Sequence, residues 1–114
     1  MRSSTPVWTP SPERISAANM TAFMAFLRGR GLLDAADYDA LWRWSIDNIE
    51  SFWCALWDFS EIIADTRGER VLDHGDDQQR AAFFSDARLN FAENGLRWRG
   101  AGLAIMFRNE AGQQ

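Results

Sequence analysis

The sequence predicts a mainly α unit: three to four short helices with extended connections, and one C-terminal β-strand that would join the sheet of a larger α/β domain. Three observations predict it. Apolar residues recur at three/four spacing through most of residues 12–60, the period of an amphipathic helix. Helix-start residues stand ahead of these runs. Leu103-Ala104-Ile105-Met106-Phe107 is an unbroken apolar run between Gly102 and Arg108-Asn109. That is the pattern of a strand covered on both faces.

Residues 1–11 read as an extended arm, because Pro6, Pro10 and Pro12 each disfavour helix in the residue before them. A first helix is expected from Pro12 to Arg30. Ser11 suits its N-cap, Pro12 its first position and Glu13 its positive end. Ile15, Ala18, Ala22 and Phe26, with Phe23 and Leu27, give the stripe, and Gly29 and Gly31 end it. A second helix is expected from Asp37 to about Ser45, with Tyr38, Leu41, Trp42 and Ser45 on one face. Asp47 opens a third, with Glu50 three residues on as in a capping box. Its stripe is Ile49, Phe52, Trp53, Leu56 and Phe59, widened by Trp57.

The periodicity then lapses from Glu61 to Ala82. Thr66 to Glu69 reads as a turn, Arg70 to Leu72 as a short extended piece, and Asp73 to Asp77 as an acidic loop. Asn90 caps a short fourth helix with Glu93 at its third position, and Leu89, Phe91, Ala92, Leu96 and Trp98 are its expected apolar contacts. Gly95 weakens that helix by up to about 1 kcal/mol. No second convincing strand is visible. A lone strand leaves its backbone groups unpaired, so the sequence is expected to stop partway through a larger fold.

Composition removes much chemistry. The 114 residues carry a net charge of −4, and all 12 basic residues are Arg. Without Lys there is no Walker A loop and no Schiff base. The lone Cys54 and lone His74 cannot build a Cys/His zinc site. One Cys forbids an internal disulfide, which fits a reducing, cytoplasmic setting. No apolar run approaches the roughly 18 residues that span a bilayer, and the first 12 residues hold no secretory h-region. No membrane or nucleic-acid partner is expected of this mildly acidic chain.

Six constellations invite a functional reading. Asp73, His74, Asp76 and Asp77 could bind a metal or move protons, but Gln78 stands where a calcium loop needs its turn glycine. The plainer reading is a solvated acidic loop. His74 with Ser85 and Asp86 could form a nucleophile triad, yet no Gly-x-Ser-x-Gly elbow exists. Cys54 reads as a small core residue before a nucleophile. Arg97-Trp98-Arg99 could touch phosphate, but basic residues also suit a helix C-terminus. The Trp and Phe stripes read as core or interface before a ligand cage, and Gly95, Gly100 and Gly102 make no phosphate-cradling loop. No residue is assigned a catalytic, cofactor-binding or metal-binding role.

Several strings, in order, resemble the N-terminal region of the acetoacetyl-CoA synthetase (acetoacetate–CoA ligase) family. They are Trp8 to Ile15; Asn19 to Phe26; Tyr38 with Leu41, Trp44 and Ser45; Phe52-Trp53 followed by Leu56 to Phe59; and Ala87 to Asn94. Arg88-Leu89-Asn90-Phe91-Ala92-Glu93-Asn94 is the most specific, and Leu103 to Glu110 resembles the family's next strand. Departures are Gly95 for a usual Leu, Ala81-Ala82 for an aromatic, and a poor match over 61–80.

The resemblance implies membership of the adenylate-forming superfamily. Its full-length enzymes activate acetoacetate with ATP and magnesium, then pass the acyl group to coenzyme A. It implies an arm at 1–11, a helical N-terminal region at 12–98, and the start of an AMP-binding domain at 99–114. The family's nucleotide loop and catalytic lysine lie downstream, so this segment is expected to hold no cofactor and to be inactive by itself. Its implied partner is the remainder of the synthetase. The alternative is a free-standing helical interaction module without catalysis, self-associating through exposed aromatics.

Overall fold

A computed structural model describes residues 6–103 and 105–112. Their helices are α1 (Pro12–Ser16), α2 (Asn19–Gly29), α3 (Tyr38–Asp47), α4 (Ile49–Phe59) and α5 (Phe91–Gly95). Two strands, β1 (Leu72–Asp73) and β2 (Ala82–Phe83), stand between α4 and α5. They pair antiparallel with Leu72 opposite Phe83 and Asp73 opposite Ala82. The fold is mainly helical, as the periodicity predicts, while its small open sheet lies at β1 and β2 and not at the strand expected over Leu103–Phe107.

The helix expected over Pro12–Arg30 is two helices. Ala18 is extended (φ −74°, ψ 141°) and breaks it. The Ile15 carbonyl accepts from the Ala18 N–H at 3.1 Å and from the Thr21 hydroxyl at 2.6 Å. The break therefore leaves no orphan acceptor there, which is what permits it. Ser11 caps α1 as expected, accepting from the Arg14 N–H at 3.3 Å. Gly31 (φ +66°) ends α2 in a Schellman turn, with the Leu32 N–H donating to the Leu27 carbonyl at 3.0 Å.

Asp37 caps α3, accepting from the Ala40 N–H at 2.9 Å. The expected cap of the next helix at Asp47 is not used. Asp47 is the last residue of α3, and Asn48 alone separates the helices. The Asn48 side chain donates back to the Trp44 carbonyl at 3.3 Å, so it closes α3 instead of capping α4. A one-residue link forces the two helices to turn sharply and pack on each other.

That packing makes the core. Phe23 and Leu27 of α2, Ala35, Leu41 of α3 and Ala55 of α4 are buried. Phe26, Trp44, Phe52, Leu56 and Phe59 pack around them. Phe23 stands at the centre, 5.1 Å from Phe59 and 5.9 Å from Phe52 between ring centroids. The α2 and α4 stripes are thus core on their inner side, as expected, whereas on α3 Leu41 and Trp44 turn inward and the expected Tyr38 and Trp42 are exposed.

The C-terminal part differs. α5 ends at Gly95, and its expected apolar contacts do not form: Phe91 is 89% and Trp98 85% exposed. Leu103 and Ile105–Phe107 carry no ladder and are exposed, Ile105 to 83%. A strand exists only by pairing, and no described strand lies beside them. Residues 1–5 of the arm, Ala104 of the expected strand, and residues 113–114 lie outside the described residues. The accessible surface is 9965 Å², against about 6300 Å² for a compact folded monomer of this mass. The radius of gyration is 18.9 Å, against about 13 Å for a compact domain of this length.

Candidate functional site

The sequence singles out the 70–99 region, and there the structure builds a scaffold. Asp73 leaves β1 and accepts from the Ser85 hydroxyl, with Arg70 Nη1 at 3.7 Å. His74 takes a left-handed backbone (φ 54°), and its carbonyl accepts from the Asp77 N–H at 3.0 Å. Asp77 turns inward on its own loop, accepting from the Gln79 N–H at 3.0 Å. His74 and Asp77 thus organise a turn, while Asp73 faces Ser85 and Arg70. Among the described residues, no three His, Cys, Asp or Glu side chains converge to hold a metal.

The triad alternative does not assemble. Ser85 is bonded to Asp73, while Asp86 grips Arg70: Arg70 Nη2 donates to Asp86 Oδ1 at 2.8 Å and Nε to the same carboxylate at 3.1 Å. That hydrogen bonding holds the Asp86 carboxyl below the usual carboxylate range and raises the Arg70 guanidinium. Gly68 sits against this pair. It has φ +77°, and a Cβ there would stand 2.3 Å from Asp86 Cβ. Cys54 is half-buried on α4.

Arg97 has a local job. Its Nη1 donates to the Ser60 carbonyl at 3.0 Å and the Glu61 carbonyl at 2.9 Å. These are carbonyls at the C-terminal end of α4, which its own turns leave unpaired. Arg97 is thereby engaged, and the phosphate-patch reading of Arg97-Trp98-Arg99 loses its first member.

Asn94 is a structural residue that spacing alone did not reveal. Its Oδ1 accepts from the Ile63 N–H at 2.8 Å, and its Nδ2 donates to the Ile63 carbonyl at 2.8 Å. Thr66 and Arg88 form an antiparallel bridge beside it. The 88–97 segment is therefore fastened along 60–66. Residues of the family-like string close the fold around the end of α4, and no chemistry is needed to account for them.

What stays open is apolar. Trp53, Leu56, Trp57, Phe83 and Phe84 line a groove between α4 and β2. Trp57 and Phe84 lie 4.7 Å apart there, with Phe84 in a left-handed backbone at φ 49°. Leu96, Trp98, Leu103 and Ile105 line a second cleft.

A helical unit with internally paired charges and open apolar faces has the build of a structural segment, with no assembled catalytic constellation among the described residues. The chain belongs to the family described as acetyl-coenzyme A synthetase N-terminus, which matches residues 38–95. It is similar to the acetoacetyl-coenzyme A synthetase of Rhizobium meliloti (strain 1021), 40% identical over 96% of this chain and 17% of that protein. It is 30% identical to the acetoacetyl-CoA synthetase of Gallus gallus over 80% of this chain and 14% of that protein. The solved acetoacetyl-CoA synthetase from Streptomyces lividans superposes with a TM-score of 0.71 at 35% identity, over 82% of this chain and 15% of that one. The chain thus corresponds to the N-terminal region of acetoacetyl-CoA synthetase, and spans about a sixth of the length of these relatives.

The family links the chain to ATP- and CoA-dependent ligases. Arg70 and Arg97 are held by Asp86 and by backbone carbonyls, and among the described residues no three His, Cys, Asp or Glu side chains converge.

Proposed function

We propose that this chain is the N-terminal structural segment of an acetoacetyl-CoA synthetase, covering the AMP-binding body of the enzyme and catalysing nothing by itself. On this reading acetoacetate is activated with ATP and magnesium and transferred to coenzyme A on that body, in the cytoplasm. The chain's own residues hold a shape. Arg97 and Asn94 fasten the C-terminal segment to the end of α4, and the α2–α4 aromatic core fixes that end.

The observation that supports the reading is the accessible surface, half as large again as a compact monomer would show. Such a surface suits a piece that packs into something larger. The test is ATP–pyrophosphate exchange with acetoacetate on the purified 114 residues. No exchange is expected, and measurable turnover would refute the reading. Size exclusion tests the same point from the other side. A monodisperse, cooperatively unfolding oligomer with a buried aromatic interface would favour a free-standing module.

A further inference from the structure

The chain holds five asparagines, and Asn94 is the one followed by glycine; Asn19, Asn48, Asn90 and Asn109 precede Met, Ile, Phe and Glu. Asparagine is a labile residue because its amide is electrophilic at Cγ. The main-chain nitrogen of the next residue can close a small imide ring on that carbon. Glycine has no Cβ to keep its nitrogen away from a neighbouring group, so Asn94–Gly95 is the least hindered of these pairs. The fold does not require glycine there. A Cβ at position 95 would meet nothing within 4 Å, the backbone is not left-handed, and the residue is exposed.

The folded backbone holds this ring closure off. In α5 the Asn94 side chain leans back toward the helix N-terminus, as helical side chains do, and so away from the Gly95 nitrogen. Its amide is engaged on both sides. Nδ2 donates to the Asn90 carbonyl at 3.0 Å and to the Ile63 carbonyl at 2.8 Å, while Oδ1 accepts from the Ile63 N–H at 2.8 Å. The latch is shallow. α5 is five residues long, too short to be stable without its contacts. Phe91 and Leu96, which flank Asn94, are exposed. Local opening of such a segment costs far less than global unfolding.

We propose that Asn94–Gly95 is a self-modification site whose reaction with water undoes the fastening of α5 to the end of α4 irreversibly. When α5 unwinds, the Gly95 main-chain nitrogen gives its proton to solvent and bonds to Asn94 Cγ. The Cγ–Nδ2 bond breaks, and the amide nitrogen takes up a proton and leaves as ammonia. Water then adds to either carbonyl of the imide and breaks that carbon's bond to the ring nitrogen. Opening on one side gives aspartate. Opening on the other routes the main chain through Cγ and gives isoaspartate. Neither product can close the latch again. The aspartate carboxylate cannot donate to the Ile63 carbonyl. Isoaspartate lengthens the main chain by a methylene inside the helical turn. This chemistry belongs to the chain itself and is independent of the proposed function.

The test incubates the purified 114-residue chain in heavy-oxygen water, in native buffer and in urea, and maps its peptides by mass spectrometry. In urea, position 94 should take up heavy oxygen and split into aspartate and isoaspartate forms, faster at higher pH, while Asn19 and Asn48 stay intact. In native buffer the same conversion should run many-fold slower. Asn90 caps α5 by accepting from the Ala92 and Glu93 N–H groups. Asn90→Ala should therefore speed the native reaction about fivefold, the factor by which a lost N-cap raises the open population, and leave the urea rate unchanged. Gly95→Ala should nearly abolish conversion in urea, where helix stability plays no part. The converted chain, separated by ion exchange, should melt below the parent. Equal conversion at Asn94 and the other asparagines in urea would overturn the assigned site. Equal rates in buffer and urea would overturn the protection by Asn90 and Ile63. A converted chain that melts like the parent would overturn the loss of the latch.

Discussion

The Asn94 side chain pairs with the main chain of Ile63 through two hydrogen bonds, each 2.8 Å long. An amide is the only side-chain group that can donate and accept side by side in this way, apart from its homologue Gln. It stands in for a strand residue at a place where the neighbouring chain is helical. Asn94→Ala leaves the part-buried Ile63 N–H and carbonyl without partners, and is expected to destabilise the fold by about 1–3 kcal/mol. Asn94→Asp should also destabilise it, because a carboxylate cannot donate and would face the Ile63 carbonyl. Urea denaturation of both variants beside Asn90→Ala, which loses an N-cap worth about 1 kcal/mol, checks this. Equal effects at 90 and 94 would count against the pairing.

Backbone handedness gives a pair of opposite predictions. Gly68 lies at φ +77° with Asp86 behind it, so Gly68→Ala combines a left-handed side chain with a collision. The conformational part alone costs about 1–2 kcal/mol. Glu61 ends α4 in the Schellman position usually held by glycine, at φ 50°. Glu61→Gly should raise the thermal midpoint, by less than the full relief because glycine also loosens the unfolded chain. A midpoint that falls for Glu61→Gly would contradict the geometry.

The Arg70–Asp86 pair makes a pH prediction with a definite sign. Hydrogen bonding to Arg70 lowers the Asp86 carboxyl in the folded chain. The unfolded chain therefore binds this proton first as pH falls. The pair's contribution is present above the ordinary carboxylate range and is lost as acid protonates Asp86. Asp86→Asn should flatten the acid limb of the stability curve and leave the neutral limb parallel to the parent. Arg70 is exposed and Asp86 is partly open to solvent, so the effect should shrink in high salt. An unchanged acid limb would show that the pair contributes nothing.

The helical half was legible because its signals are local. Ser11, Asp37 and Asn90 each cap the helix they precede, through an atom within three residues. The α2 and α4 stripes meet in the core because their spacing already placed Phe23, Leu27 and Phe52 inward. The break at Ala18 was not legible, since it depends on Thr21 reaching back to Ile15. Nor was the α3–α4 boundary, because both Asp47 and Asn48 are cap residues and only packing chooses between them. Arg97 and Asn94 find partners more than 30 residues away, a separation that no local pattern reports. The candidate catalytic groups were legible only as residue types. Asp73, Ser85 and Asp86 were visible in the sequence, but their bonds within the β1–β2 loops decide what they do.

The difference between inner and outer aromatics yields the last prediction. Phe23 is buried among Phe26, Phe52 and Phe59, whereas Phe91 is exposed. Removing a buried phenylalanine costs about 3–5 kcal/mol through lost transfer energy and the cavity left behind. A core this small has little stability to lose, so Phe23→Ala should abolish the cooperative transition of the isolated chain. Phe91→Asp should leave that transition in place and reduce aggregation, because the side chain makes no buried contact to forfeit. The parent should bind a hydrophobic dye such as ANS through its open faces, and Phe91→Asp should bind less of it. Circular dichroism, urea unfolding and dye binding on the three proteins check this. A Phe91→Asp chain that unfolds as readily as Phe23→Ala would show that the α5 face is already packed in the free segment.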